Sequence, residues 1–182
     1  MNKDLHRRSY RVPGFSYGSI GAYHVTLCSH ERQLIFSSLD AQGSIELFEV
    51  GRIIDEEWRK IGELRPGVIV DDYVVMPNHL HGILLFTDGM SEEVQRTFGG
   101  SLPDTLSSIL SQTKSAVTKR IWQVPSWKNK KIWQPRFHDR IIRDESELNR
   151  TRQYIHDNPL QWADDMENPE VVRRLTGRLI RT

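Results

Sequence analysis

Two strand-forming runs, residues 68–76 and 79–86, are separated by nothing but Pro77-Asn78. A turn that short makes them antiparallel neighbours, which commits the chain to a sheet. The first run, Val68-Ile69-Val70 and then Tyr73-Val74-Val75-Met76, is interrupted by Asp71-Asp72, which reads as a bulge. The second ends in Ile83-Leu84-Leu85-Phe86, apolar enough to be buried.

The elements around this hairpin follow from periodicity. Tyr23-His24-Val25-Thr26-Leu27-Cys28 alternates and favours a strand, and residues 30–43 read as loop or turn. Leu47, Val50, Ile54, Trp58 and Ile61 fall three or four apart with Asp55, Glu57, Arg59 and Lys60 between them, which predicts an amphipathic helix. Residues 87–103 read as a loop, with Asp104 as the N-cap of the next helix. One face of that helix is Leu106, Ile109, Leu110, Thr113, Val117 and Ile121. A strand over 137–143 follows, then a helix from 145 to about 158 stopped by Pro159, and a polar tail partly helical over 171–180. The order is strand, helix, strand, strand, helix, strand, helix. It predicts an α+β chain with a ferredoxin-like sandwich: a four-stranded antiparallel sheet, helices packed on one face, and an added C-terminal helix. Residues 1–20 read as an arm, 21–162 as one domain and 163–182 as a tail.

The 182 residues are 37% hydrophobic and 27% charged, with no apolar run near the roughly 20 residues of a membrane helix. The N-terminus is polar, so the expected location is cytoplasmic, or nucleoid-associated in a bacterium, with no membrane partner. A single cysteine, Cys28, excludes an internal disulfide and a multi-cysteine zinc site, and reads as a buried strand residue. Net charge is only +1, yet between Lys114 and Arg143 nine basic residues face one acid, Asp139. A basic face can sit on a near-neutral protein.

His79-Leu80-His81 opens the apolar strand. Alternate side chains share a face, so the two imidazoles stand about 7 Å apart on one side and can converge on a metal ion. Alone, such a pair is more often two polar residues on a solvated strand. Tyr154 and Asn158, four apart near a helix end, form a second polar pair off the apolar stripe of Leu148 and Ile155. Taken locally, a surface tyrosine and an asparagine before proline explain them as well. His156 lies about 200° around that helix from any group facing with Tyr154 and ranks low as a base.

Tyr73-Val74-Val75-Met76-Pro77-Asn78-His79-Leu80-His81 resembles the signature of the HUH single-tyrosine transposases. Tyr154-Ile155-His156-Asp157-Asn158-Pro159 resembles their tyrosine motif, and Trp133-Gln134-Pro135-Arg136-Phe137-His138-Asp139-Arg140 the segment leading into their last strand. The similarity spans about residues 20 to 162 and is greatest to the REP-associated branch. It implies that His79, His81 and Asn158 hold a divalent metal, Mg2+ or Mn2+, which polarises a phosphate of single-stranded DNA. It implies also that Tyr154 attacks that phosphate, leaving a 5′-phosphotyrosine and a free 3′-hydroxyl that later strand joining reverses. Covalent attachment conserves the phosphodiester energy. The branch implies hairpin-bearing palindromic DNA as partner, and leaves a monomer or a homodimer open.

For DNA contacts, Lys114, Lys119, Arg120, Lys128, Lys130 and Lys131 are candidates for phosphates, and Trp127 and Trp133 for stacking on unpaired bases. Trp122 reads as core. His138 and Asp139 are candidates to support the metal-binding histidines, which usually donate their second ring nitrogen to a neighbour. His24 and His30 read as structural or exposed, and Glu31 and Asp72 as helpers without a spacing argument. Three other functions compete with the strand-transferase: a domesticated, non-catalytic hairpin binder, a replication- or conjugation-type initiator nickase, and a metal-dependent hydrolase that has no need of Tyr154.

Overall fold

The computed structural model describes residues 20–40, 42–87, 105–165 and 167–179, with side chains to residue 175. The elements are β1 (Gly21–Cys28), β2 (Ser37–Leu39), β3 (Ile45–Leu47), α1 (Glu49–Leu64), β4 (Val68–Val75), β5 (His79–Phe86), α2 (Leu106–Ile121), β6 (His138–Ile142), α3 (Glu145–Gln161) and α4 (Pro169–Leu179). The main sheet has the order β4-β5-β1-β6, with every neighbour antiparallel. This is the expected ferredoxin-like order.

Strand register sorts the side chains between two faces. Tyr23, Val25 and Leu27 of β1 lie opposite Leu84, Gly82 and Leu80 of β5. They join α1 and α2 in the main core, with Val50, Ile54, Trp58, Ile109, Leu110 and Val117. The other face carries Ala22, His24 and Thr26 opposite Leu85, Ile83 and His81. α3 lies there, tied by a smaller apolar cluster of Ile83, Ile142 and Ile155 with Leu148 at its edge. Arg152 of α3 grips the Asp71 carboxylate of β4 through two nitrogens, at 2.6 and 3.1 Å. The expected bulge is present: pairing with β5 shifts between Val70 and Tyr73. It moves the core-facing positions from Val68 and Val70 to Tyr73 and Val75, which alternation alone could not do.

Some boundaries differ from the expectation. The segment read as loop contains β2, which pairs with β3, and Leu47 ends β3, so that α1 begins two residues later. Three-residue strands carry too little pattern to read. Pro159 does not stop α3, which continues to Gln161. In the last turn a proline removes one backbone donor and forfeits little further bonding. Asp104 lies outside the described residues, and the cap of α2 is Thr105, whose hydroxyl accepts from the Ser108 N–H at 3.2 Å. The loop read over 87–103 lies outside the described residues except for Thr87. Trp122 is 42% exposed rather than core, its indole N–H donating to the Lys130 carbonyl at 2.9 Å. Among the described residues no helix is long and apolar enough to cross a membrane.

Candidate active site

β5 delivers His79 and His81 to the face that α3 covers, and both are buried. Their ring centroids stand 4.5 Å apart. α3 supplies Tyr154, whose hydroxyl is 3.3 Å from His81 Nε2. One turn further on, Asn158 is buried, its side chain within reach of both His79 and Tyr154. The four residues singled out by the two motifs therefore meet at one place. His156 is exposed on the outer side of α3.

Each histidine is held from behind. His79 Nδ1 meets Asn78 Oδ1 at 2.8 Å. His81 Nδ1 meets Thr26 Oγ1 at 2.9 Å and His24 Nε2 at 3.3 Å. This leaves the Nε2 atoms facing Tyr154 and Asn158. His79 Nε2 and Asn158 Oδ1 are both buried without a hydrogen-bond partner. Burying a polar atom unpaired is costly, and such orphans in a native site need an explanation. Two lone-pair donors, converging beside a third, are the donor chemistry of a divalent cation site, and Nδ1 partners of this kind are how proteins orient metal-binding imidazoles. Among the described residues no group of three His, Cys, Asp or Glu side chains is placed to hold a metal. The third atom in this cluster is the Asn158 amide oxygen, which that set does not include.

Electrostatics point the same way. Burial pushes the His79 pKa down to about 3, helped by Arg32. Burial pushes that of His81 down to about 2, helped by His79 and His24. Both rings are neutral at physiological pH, as ligands must be. The Tyr154 hydroxyl is raised above its ordinary value, first by burial and then by the Asp165 carboxylate, against an opposing hydrogen bond from Asn158. Asp165 is itself raised by burial.

A cleft of ≈ 460 Å³ opens beside Tyr154, lined by His24, Thr26, His81, Arg140, Glu147, Arg150 and Thr151. His24 is thus a wall of the site and not merely structural. Its ring meets Tyr154 edge-on at 6.0 Å, and burial lowers its pKa to about 4. Its alternation in β1 gave no hint, because only the pairing of β1 with β5 brings it to His81. Thr26 was missed for the same reason, while Asn78 adjoins His79 in the turn and Trp162 and Asp165 come from the segment after α3. The Trp162 ring lies 6.0 Å from His79.

The other candidates fare differently. His138 lies opposite Thr26, on the site's face of the edge strand, and is exposed. Asp139 lies opposite Val25 and so faces away. The Nδ1 atoms of His79 and His81 meet Asn78 and Thr26. Lys114, Lys119 and Arg120 ride on α2, across the sheet from Tyr154. Lys114 is half-buried and donates to the Gln134 carbonyl at 2.7 Å. Arg120 is paired with Glu56 and Glu57 at 2.5 and 2.7 Å. Trp133 packs edge-on against Phe36 at 5.3 Å and donates to the Lys114 carbonyl. All three thus have partners within the fold, and Lys114 and Trp133 also line an open cleft with Lys119 and Trp122. Trp127 packs at the core's edge with the Lys130 ammonium 4.9 Å from its ring, while Lys119, Lys128, Lys130 and Lys131 are exposed.

No protein-family model matches the chain. An uncharacterized protein of Haemophilus influenzae is 30% identical over 166 residues, covering 88% of this chain and 92% of that protein. The chain belongs to its family. Among solved structures, a REP-associated tyrosine transposase bound to a REP hairpin is similar with a TM-score of 0.55 and 23% identity, over 84% of this chain and 73% of that one. A putative transposase from Deinococcus radiodurans has a TM-score of 0.44 and 17% identity, over 82% of this chain and 97% of that one. The tyrosine-transposase fold implied by the two sequence motifs is the fold of this chain.

Proposed function

We propose that this protein is a transposase-type enzyme that cleaves and rejoins single-stranded DNA through a covalent link to Tyr154. The observation that carries the reading is the pair of orphaned, buried lone-pair atoms, His79 Nε2 and Asn158 Oδ1, beside the Tyr154 hydroxyl. A merely DNA-binding protein would have no use for them. The fold shared with a transposase bound to a REP hairpin supports the DNA substrate, and a hairpin-bearing strand in particular.

His79 Nε2, His81 Nε2 and Asn158 Oδ1 would hold a divalent cation, magnesium or manganese. When bound, it supplies Lewis-acid polarisation of a phosphate and a positive charge that favours the phenolate. The protein alone holds Tyr154 protonated, since burial and Asp165 both raise its pKa. Tyr154 Oη then bonds to phosphorus and the bond from phosphorus to the 3′ oxygen breaks. The phenol loses one proton and the departing 3′ oxygen gains one. A 5′-phosphotyrosine and a 3′-hydroxyl result, and the reverse step with a new 3′-hydroxyl joins strands. Arg140, Arg150 and the hydroxyls of Thr26 and Thr151 line the cleft in which the strand would lie against Tyr154.

The test uses hairpin-bearing single strands labelled at either end, with manganese or magnesium. The expected result is a protein–DNA adduct carrying the 3′ fragment, absent in Tyr154→Phe. Cleavage that persists in Tyr154→Phe would mean hydrolysis and overturn the proposal, as would binding without cleavage under either metal.

A further inference from the structure

The geometry points to Asn78 as the residue that sets the tautomer of His79 and so makes its Nε2 a metal donor. The inference deepens the proposed function and rests on its reading of His79 as a ligand. Asn78 is fully buried in the turn between β4 and β5. An amide can usually be turned end for end, because its oxygen and nitrogen are alike in shape. Here its far side decides the matter. One end of the Asn78 amide faces two main-chain carbonyls, Glu167 O at 2.7 Å and Arg32 O at 3.3 Å. Carbonyls only accept, so that end must be Nδ2, the donor. The opposite end, 2.8 Å from His79 Nδ1, must then be the oxygen. An oxygen there only accepts, so His79 Nδ1 carries the proton and Nε2 carries the lone pair.

The two carbonyls are themselves fixed. Arg32 and Glu31 both adopt left-handed backbone, with φ of 57° and 53°, and that turn presents the Arg32 carbonyl inward. Glu167 follows a turn in which its N–H is held by Asp165 Oδ1 at 2.8 Å, and the buried Asn168 side chain closes back on the Trp162 carbonyl at 2.9 Å. An ion pair between the Arg32 and Glu167 side chains joins the two turns. The segment after α3, which carries no sequence resemblance to the transposases, is thus part of the device. His81 has no such constraint: its Nδ1 neighbours are a hydroxyl and another imidazole, each able to donate or accept. Asn78 is a positioning residue, acting on His79 and not on DNA.

The test reads histidine tautomers by long-range proton–nitrogen NMR on the metal-free, DNA-free protein. His79 in the wild type is expected as the Nδ1–H form. Finding it as Nε2–H, with Asn78 in place, overturns the inference without any variant. In Asn78→Ala, His79 is expected to lose its single tautomer and Mn2+ affinity to fall about 10-fold. An Asn78→Ala protein with unchanged tautomer and Mn2+ affinity refutes the assignment, and if Asn78→Ala fails to fold, the wild-type tautomer still decides it. None of these readings depends on DNA cleavage. Failure of the adduct assay with the Nδ1–H form in place would overturn the enzyme and leave Asn78's role standing.

Discussion

At the scale of single residues, two neutral histidines are being kept where protons would disrupt them. Burial is the first cause for both, and it lowers the His79 pKa to about 3 and that of His81 to about 2. In the unfolded chain each titrates near 6.5. Below pH 6.5 the unfolded chain binds protons that the native site refuses, so stability present above 6.5 is lost as pH falls toward the folded values. At pH 5 the loss is up to ~2 kcal/mol per histidine. Urea unfolding of the metal-free protein should show this fall between pH 7.5 and 5, and a smaller fall in His79→Gln. Stability that stays level down to pH 5 would contradict the burial of these rings. The site's membership was only partly legible in the sequence. His79 with His81, and Tyr154 with Asn158, could be paired because strand and helix geometry relate neighbours two or four apart. Thr26 and His81 are 55 residues apart and meet only through strand register, which no local spacing encodes.

Among the elements, β5 is the one that the site most depends on, and its seating against α1 hinges on Gly82. A Cβ built there would lie 2.4 Å from the Trp58 ring, closer than any side chain tolerates. Trp58 is wholly buried, so it cannot swing aside without repacking the core. Gly82→Ala is therefore expected to destabilise the protein by about 1–3 kcal/mol, as overpacking does. Because Gly82 is joined directly to His81, the same strain should also weaken Mn2+ binding. Trp58→Phe, which shortens the ring, should recover part of both losses in the double variant. A Gly82→Ala protein as stable as wild type in urea would show that β5 and α1 are less tightly apposed than this. The strands and α1 were readable because their apolar periods are long. β2 and β3 were not, and neither was the run of α3 through Pro159, since one proline in a final turn is weaker than the packing of Ile155 on Ile83 and Ile142.

For the whole molecule, the sheet is a partition. One side holds the main core under α1 and α2, and the exposed Lys119, Lys128, Lys130 and Lys131 lie on or beyond α2. The other side holds Tyr154 and the cleft with Arg140 and Arg150. The exposed lysines of the basic stretch are thus separated by the fold from Arg140 and Arg150 at the cleft. Within the cleft, Arg140 is paired with Glu147, while Arg150 rests on the Ser146 hydroxyl at 2.6 Å. Arg150 is accordingly the better candidate to meet a phosphate beside Tyr154. For an oligonucleotide only long enough to fill the cleft, Arg150→Ala should weaken binding several-fold and reduce the salt slope of log K by about 0.7, the value of one phosphate contact on a single strand. Replacing Lys128, Lys130 and Lys131 together by Ala should leave that short strand's affinity unchanged and lower affinity only for longer, hairpin-bearing DNA. Fluorescence anisotropy across a salt series reads both. If the triple-lysine variant loses the short strand as severely as Arg150→Ala does, the strand does not run through the cleft, and the division of charge by the sheet is not a division of labour.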